Sequence, residues 1–233
     1  MAPENTLVSF ERAMRDGADG IEFDVRLSSD GVPFVIHDAT LNRTASVRTQ
    51  VAKLSAAELA LIDVGRGEKL PNLHQVLALF NQRNALLYLE MKTETGELAL
   101  PRTVVQVIKN ESMQEKVIVA CFDMSLIREV KRIDSNIRTA ALFQPKISRP
   151  FDLVRKKKLI HIAQANGADE IALHYRLVSP RIVERARQAQ MQVVIWTVDN
   201  TQWIDRARVL DIKALITNNP AVMVQYRQQK RLQ

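Results

Sequence analysis

Two carboxylates, Glu22 and Asp24, stand two residues apart near the start of the chain. Ile21, Phe23 and Val25 alternate with them, and this period of two predicts a strand with two different faces. Glu22 and Asp24 then point to one face, where close carboxylates repel each other unless a positive charge lies between them. Hard carboxylate oxygens suit Mg²⁺ or Ca²⁺, so this face is a candidate metal site. An edge strand with one solvated acidic face is the alternative interpretation.

Polar side chains also stand at the ends of other predicted strands. The strand 86–92 places Glu90 and Lys92 on one face by the same argument, and His37 follows the strand 32–36. A histidine titrates near neutral pH and can transfer a proton to or from an ester oxygen. The strand-end residues as a group are Asp24, His37, Lys92, Asp123, His174 and Thr197.

Strands and helices alternate along the chain, which predicts a parallel sheet covered by helices. The sequence has no glycine-rich phosphate loop of the kind found in open doubly wound sheets. Polar residues at strand ends instead favour a TIM-type (β/α)8 barrel. We count seven principal strands and one extra strand at 32–36, so the first strand of the barrel is predicted to be missing before Met1. The principal strands are predicted at 20–25, 86–92, 117–122, 137–143, 170–174, 192–198 and 214–217.

Composition limits the remaining classes of function. The net charge is +7, with basic runs at 155–158 and in the tail, but aromatic residues are only 5% and do not interleave with these runs. We therefore predict no nucleic-acid partner. No apolar run is long enough to span a bilayer and the first residues do not resemble a signal peptide, so we predict no stable membrane insertion and a cytoplasmic location. Cys121, the single cysteine, is predicted to be buried.

Six motifs in order carry a resemblance to a known family. They are Ala-Pro-Glu-Asn-Thr at 2–6, Gly-Ala-Asp-Gly-Ile-Glu-Phe-Asp-Val at 17–25, His-Asp at 37–38 with Leu-Asn-Arg-Thr at 41–44, Leu-Glu-Met-Lys at 89–92, Val-Ile-Trp-Thr-Val at 194–198, and Leu-Ile-Thr-Asn-Asn-Pro at 215–220. Together they closely resemble the bacterial glycerophosphodiester phosphodiesterases, over essentially the whole chain.

The resemblance implies an α/β barrel that hydrolyses a small-molecule glycerophosphodiester to glycerol 3-phosphate and an alcohol with Mg²⁺ or Ca²⁺. It makes Glu22, Asp24 and Glu90 the metal ligands and His37 one of two catalytic histidines. Lys92 then contacts the phosphate, and Trp196 lies near the glycerol end of the substrate. It also implies a domain over 1–226 with an inserted segment at about 31–70, followed by a basic tail over 227–233.

The sequence departs from the family at its start. The family has a strand ending in His-Arg-Gly upstream of Pro-Glu-Asn-Thr, and this chain starts too late to contain it. Three explanations remain open: a start placed too late or a trimmed chain, a degenerate inactive relative, or activity through His37 alone. The alternative function is a catalytically inactive phosphoester-binding barrel of the same family. The oligomeric state is not indicated.

Overall fold

A computed structural model describes residues 2–93, 98–145 and 153–230, with the backbone alone for 153–157. Within them eight strands form one sheet in the order β2-β1-β3-β4-β5-β6-β7-β8. The strands are β1 (Gly20–Leu27), β2 (Pro33–Val35), β3 (Leu86–Met91), β4 (Val117–Cys121), β5 (Arg138–Phe143), β6 (Glu170–His174), β7 (Gln192–Trp196) and β8 (Ala214–Leu215). All pairs are parallel except β1 with β2, which is antiparallel.

Helices follow the strands as the alternation predicts. Along the described chain they are α1 (Leu7–Arg15), α2 (Asn42–Ala45), α3 (Ala56–Leu59), α4 (Leu73–Phe80), α5 (Ala99–Asn110), α6 (Met124–Ile133), α7 (Leu153–Ala165), α8 (Pro180–Gln188), α9 (Gln202–Leu210) and α10 (Pro220–Gln229). Thr6 caps α1 by accepting a hydrogen bond from the Ser9 amide. None of the helices in the described ranges is long and apolar enough to cross a membrane.

The sheet is a curled, open form of the (β/α)8 fold, which confirms the predicted fold class. The seven parallel strands correspond to the seven principal strands predicted from the sequence, and β2 is the extra strand beside the first. Within the described residues, β8 pairs with β7 alone, so the sheet is not closed. All strand ends lie within two residues of their predicted positions; β7, for example, ends at Trp196 rather than at residue 198.

Each central strand is buried on both faces. The face under the helices belongs to the main core, to which Phe23, Leu89 and Val119 contribute. The inner face carries small residues such as Ala120, Ala140 and Ala172, together with Ile118, Tyr88, Leu142 and Val194. Because successive side chains of a strand alternate between faces, the inner face is also the one that bears Glu22, Asp24 and Glu90.

The segment between β2 and α4 contains the short helices α2 and α3. Ser55 and Glu58 form a reciprocal capping box that starts α3. Seven apolar residues form a separate small core under this segment: Phe34, Ile36, Leu41, Val51, Leu59, Val64 and Leu70. The insert is therefore a packed substructure, with bounds at about 31–70 that stay a prediction.

Three smaller features complete the comparison between sequence and structure. Cys121 is buried, as expected. His74, on α4, is about half exposed, and its Nδ1 lies 2.8 Å from Glu111 Oε1. At the carboxyl end, α10 continues past residue 226 to Gln229, and Arg227 contacts Asp19 at 2.6 Å. Residues 231–233 of the predicted tail, and the side chains of the basic run at 155–157, lie outside the described parts of the chain.

Candidate active site

Three carboxylates meet on the inner face of β1 and β3. The parallel register pairs Asp24 directly with Glu90, and Glu22 with Tyr88 one step below. One oxygen from each of Glu22, Asp24 and Glu90 lies within 4.8 Å of the others. Gly20 permits this close pairing, because a side chain there would bring its Cβ within 2.2 Å of the Leu86 carbonyl oxygen. The structure thus brings together all three predicted metal ligands.

The three carboxylates carry more negative charge than their surroundings neutralise. Burial raises the pKa of Glu22 well above its usual value, and the charges of Asp24 and Glu90 raise it further. Burial also raises the pKa of Glu90, although the nearby charge of Lys92 opposes this shift. A divalent cation would relieve both the burial of negative charge and the mutual repulsion. The donor set of three hard oxygens therefore fits Mg²⁺ or Ca²⁺.

Lys92 supplies the positive charge that lies closest to this cluster. Its Nζ lies 2.7 Å from Glu90 Oε1 and 3.2 Å from Asp24 Oδ1, and its side chain is only 17% exposed. The carboxylates raise the pKa of Lys92 against the opposing effect of its burial. Asn5 adds a neutral partner, donating from Nδ2 to Asp24 Oδ2 at 3.1 Å. This contact was not predicted from the sequence.

His37 lies just beyond β2 in a chain of ionic contacts. Its Nδ1 is 2.7 Å from Asp38 Oδ1, while its own carbonyl oxygen accepts a hydrogen bond from Arg26 Nε. The second Asp38 oxygen accepts a hydrogen bond from Arg43, which also binds Glu4 through both terminal nitrogens. These contacts lower the pKa of Asp38 to about 2, mainly through Arg43 and then His37. The His37 side chain is about half exposed and accessible to a ligand.

Trp196 lies at the end of β7 among other aromatic rings. Phe122 and His174 pack edge-on against it, with ring centroids at 5.7 and 5.2 Å. Phe122 was not singled out from the sequence, although its position two residues after inner-facing Ala120 is the signal that could have found it.

One of the predicted strand-end residues, Asp123, has another role. Asp123 caps α6 and accepts hydrogen bonds from the amide and hydroxyl of Ser125. The loop after β7 contacts the loop after β8 through Asp199 rather than through Thr197. Asp199 accepts hydrogen bonds from the Thr217 hydroxyl and the Asn218 amide. These contacts organise loops beside the site without adding to the carboxylate cluster.

An α/β barrel that gathers acidic, basic and histidine side chains at the carboxyl ends of its strands has the architecture of a barrel enzyme. The family model described as "Glycerophosphoryl diester phosphodiesterase family" matches residues 1–222. The chain belongs to this family, which is a family of phosphoric diester hydrolases.

Relatives and solved structures agree with this membership over nearly the full chain. A glycerophosphodiester phosphodiesterase of Caldanaerobacter subterraneus subsp. tengcongensis is 29% identical over 95% of this chain and 91% of its own length. An Oleispira antarctica phosphodiesterase, solved in complex with the product sn-glycerol-3-phosphate, aligns with a TM-score of 0.85 at 22% identity, over 97% of this chain and 92% of its own. A Parabacteroides distasonis glycerophosphodiester phosphodiesterase aligns with a TM-score of 0.84 at 24% identity, over 100% of this chain and 92% of its own. The two structures establish a shared fold.

Proposed function

We propose that the protein is a metal-dependent phosphodiesterase that hydrolyses glycerophosphodiesters to glycerol 3-phosphate and an alcohol. The observation that carries this proposal is the cluster of Glu22, Asp24 and Glu90 with Lys92 against it, at the strand ends of a barrel of this family. Three largely buried carboxylates can hold a hard cation, and a lysine beside them complements the negative charge of a phosphodiester.

Glu22, Asp24 and Glu90 would hold the Mg²⁺ or Ca²⁺ ion, which would neutralise phosphate oxygens and stabilise the charge that develops on them. Lys92 contacts both Asp24 and Glu90. A cation bound by these carboxylates would weaken their hold on Lys92, leaving its ammonium group to bind a phosphate oxygen.

His37 is the proposed proton-transfer residue. The Asp38 carboxylate at Nδ1 favours a proton on that nitrogen and leaves Nε2 to exchange a proton with the substrate or water. In hydrolysis a water oxygen forms a bond to phosphorus, the bond from phosphorus to the alcohol oxygen breaks, and the alcohol leaves with a proton. In this proposal His37 carries one of these protons, and Trp196 packs against the apolar edge of the glycerol unit.

The test is turnover of glycerophosphocholine by the full chain in Mg²⁺, in Ca²⁺ and in EDTA. We expect release of glycerol 3-phosphate that depends on the cation and falls by at least about 10²-fold in Glu90→Gln. Glu184→Gln is the matched control, since Glu184 pairs with Arg187 on α8 and is exposed. Cation-dependent turnover that survives Glu90→Gln unchanged would contradict the assignment of this carboxylate.

The alternative remains an inactive barrel that binds phosphoesters. Calorimetric titration with glycerol 3-phosphate in Mg²⁺ distinguishes the two functions. Binding without turnover of any glycerophosphodiester supports the inactive barrel, and binding with turnover supports the enzyme.

A further inference from the structure

A network of ion pairs joins the loop that carries His37 to the turn that precedes α1. Arg43 lies at the centre of this network. Its Nε donates to Asp38 Oδ2 at 2.7 Å, and its terminal nitrogens donate to the two oxygens of Glu4 at 2.7 and 2.6 Å. The other oxygen of Asp38 lies 2.7 Å from His37 Nδ1. Charged hydrogen bonds therefore run without a break from Glu4 to the imidazole of His37.

The guanidinium group fixes the geometry of this network. Each of the three nitrogens of Arg43 is directed at a carboxylate oxygen, and the planar group sets all three directions at once. The hydrogen bonds between Arg43 and Glu4 are the main reason that the pKa of Arg43 is raised and the pKa of Glu4 is lowered. Because Arg43 holds one oxygen of Asp38, the carboxylate presents its other oxygen to His37.

The turn that holds Glu4 also contacts the acidic cluster. Asn5, the next residue, donates from Nδ2 to Asp24 Oδ2 at 3.1 Å. Asn5 has a φ of 55°, a left-handed conformation that residues with a Cβ adopt rarely. Thr6 is buried, and its hydroxyl donates to the Pro3 carbonyl oxygen at 2.8 Å, which holds the turn closed. The turn thus connects a proposed metal ligand on one side with the ion-pair network on the other.

The pair of Glu4 and Arg43 is not a strong source of stability. Both side chains are about half exposed, and solvent screening leaves such pairs a small contribution to the free energy of unfolding. The two residues are 39 positions apart in the sequence, so their contact brings together two segments that no local element connects. Arg187 and Glu184 form an exposed pair of the same bidentate kind within one helix, α8, and provide a matched control.

We propose that Arg43, held by Glu4, is a positioning residue that orients the His37 imidazole relative to the metal site. The effect on catalysis rests on the proposed function, whereas the orientation of the ring does not and can be measured by itself. Asp38 binds Nδ1 and leaves Nε2 for proton transfer. Without Arg43, the Asp38 carboxylate and the His37 ring are free to turn, so Nε2 is less often directed at the reacting oxygen. A displacement of about 1 Å at a reacting group can cost about 10²-fold in rate.

Nitrogen-15 NMR of the histidine side chains measures the state of the imidazole without turnover. The chain has four histidines, and His37→Gln assigns the signals of His37 by their loss. At about pH 9, where imidazoles are neutral, we expect His37 to carry its proton mainly on Nδ1, beside the Asp38 carboxylate. In Arg43→Gln the share of the Nε2-protonated tautomer should rise at least about twofold, and in Arg187→Gln it should stay constant. An unchanged share in Arg43→Gln would overturn the proposal.

A double-mutant cycle tests whether Arg43 acts through His37. We expect Arg43→Gln to lower kcat for glycerophosphocholine about tenfold or more and to leave KM within about threefold of wild type. In a His37→Gln background the same substitution should change kcat less than about twofold, because the ring that Arg43 orients is gone. Equal losses of kcat in the two backgrounds would contradict the proposal, since a merely structural role of Arg43 does not depend on His37.

Glu4→Gln tests the far end of the network. Arg43 and Asp38 lie between Glu4 and His37, so we expect changes of the same kind but smaller, with kcat lowered about threefold. Combined with Arg43→Gln, this substitution should lower kcat no further. Glu184→Gln, at the matched pair on α8, should leave kcat unchanged. Wild-type kcat together with a wild-type tautomer share in Glu4→Gln would rule out the role of Glu4.

The outcomes distinguish this proposal from the function on which it rests. A changed tautomer share in Arg43→Gln, with no turnover of any glycerophosphodiester by the wild-type chain, would support the orientation of His37 and contradict the proposed function. Turnover with an unchanged share, or with equal losses in the two backgrounds of the cycle, would overturn the role of Arg43 and leave the phosphodiesterase intact.

Discussion

The barrel mouth has two sides built from the same strand geometry but different physical chemistry. On β1 and β3, consecutive inner-facing positions end in the carboxylates of Asp24 and Glu90, with Lys92 beyond them. On β4 and β7 the inner-facing residues are small or apolar and end in the rings of Phe122 and Trp196. The acidic side stores unfavourable charge that a ligand can relieve, whereas the aromatic side is already stabilised by packing. Substitutions on the two sides should therefore respond differently to a divalent cation.

We expect replacement of Lys92 to give the largest change in the free energy of unfolding. In EDTA at pH 8, Lys92→Met leaves the buried carboxylates of Asp24 and Glu90 without the lysine ammonium group. We expect the free energy of unfolding to fall by about 3 kcal/mol. Mg²⁺ or Ca²⁺ then replaces the missing charge, so each should stabilise the variant more than it stabilises the wild-type protein. Urea unfolding with and without the cation measures both changes.

Lys213→Met is a matched control for that experiment. Lys213 pairs with Glu170, which is 2% exposed, at the start of β6. This pair also has a buried carboxylate, but no described group of three potential metal ligands includes it. We expect destabilisation that the divalent cation does not reverse. Equal recovery of both variants would mean that the cation acts through general screening rather than at the acidic cluster.

A substitution on the aromatic side should lower the stability of the fold without changing the affinity for the divalent cation. Trp196→Ala removes the ring contacts with Phe122 and His174, and we expect a loss of about 2 kcal/mol because Trp196 is only partly buried. Affinity for Mg²⁺ or Ca²⁺, measured by calorimetry, should stay within about twofold of wild type. Trp196→Phe keeps an aromatic ring and should recover much of the stability. A large loss of cation affinity in Trp196→Ala would show that the two sides are coupled.

The sequence predicted the acidic side better than the aromatic side. Strand periodicity alone placed Glu22 with Asp24 and Glu90 with Lys92, since residues two apart share a face. The resemblance added that the two strands are neighbours in the site. The contacts of Asn5 with Asp24 and of Arg43 with Glu4 were missed because they join residues far apart in the sequence, and no local period reports such contacts. Phe122 was missed because one aromatic residue after a buried strand is typical of an ordinary core.

Prediction of the fold from the sequence was limited in the same way. Alternating strands and helices predicted the parallel sheet, including seven parallel strands and the short β2 beside the first. The core formed by Leu41, Val51 and Leu59 under the insert was not predicted, because its apolar residues are spaced irregularly and are buried by tertiary packing alone. Local signals thus predicted the strands that carry the site, while contacts distant in sequence determine how the insert packs beside them.

The smallest expected change in the free energy of unfolding concerns Asp38, at the exposed edge of the acidic side. Its pKa of about 2 in the folded chain lies below the ordinary value of 3.8, so its contacts with Arg43 and His37 stabilise the fold above about pH 4. That contribution is lost as the pH falls towards 2, where the folded carboxylate takes up a proton. Arg43 is half exposed, so we expect less than about 1 kcal/mol.

Asp38→Asn measures this contribution, because the amide has no charge to lose. The difference in free energy of unfolding between wild type and variant should shrink between pH 4 and pH 2 at low salt, and should also be smaller at high salt. A difference that stays constant over this pH range would mean that Asp38 acts through hydrogen-bond geometry alone. The loop that holds His37 would then be positioned by neutral contacts, and electrostatic stabilisation on the acidic side would be confined to the buried carboxylates and Lys92.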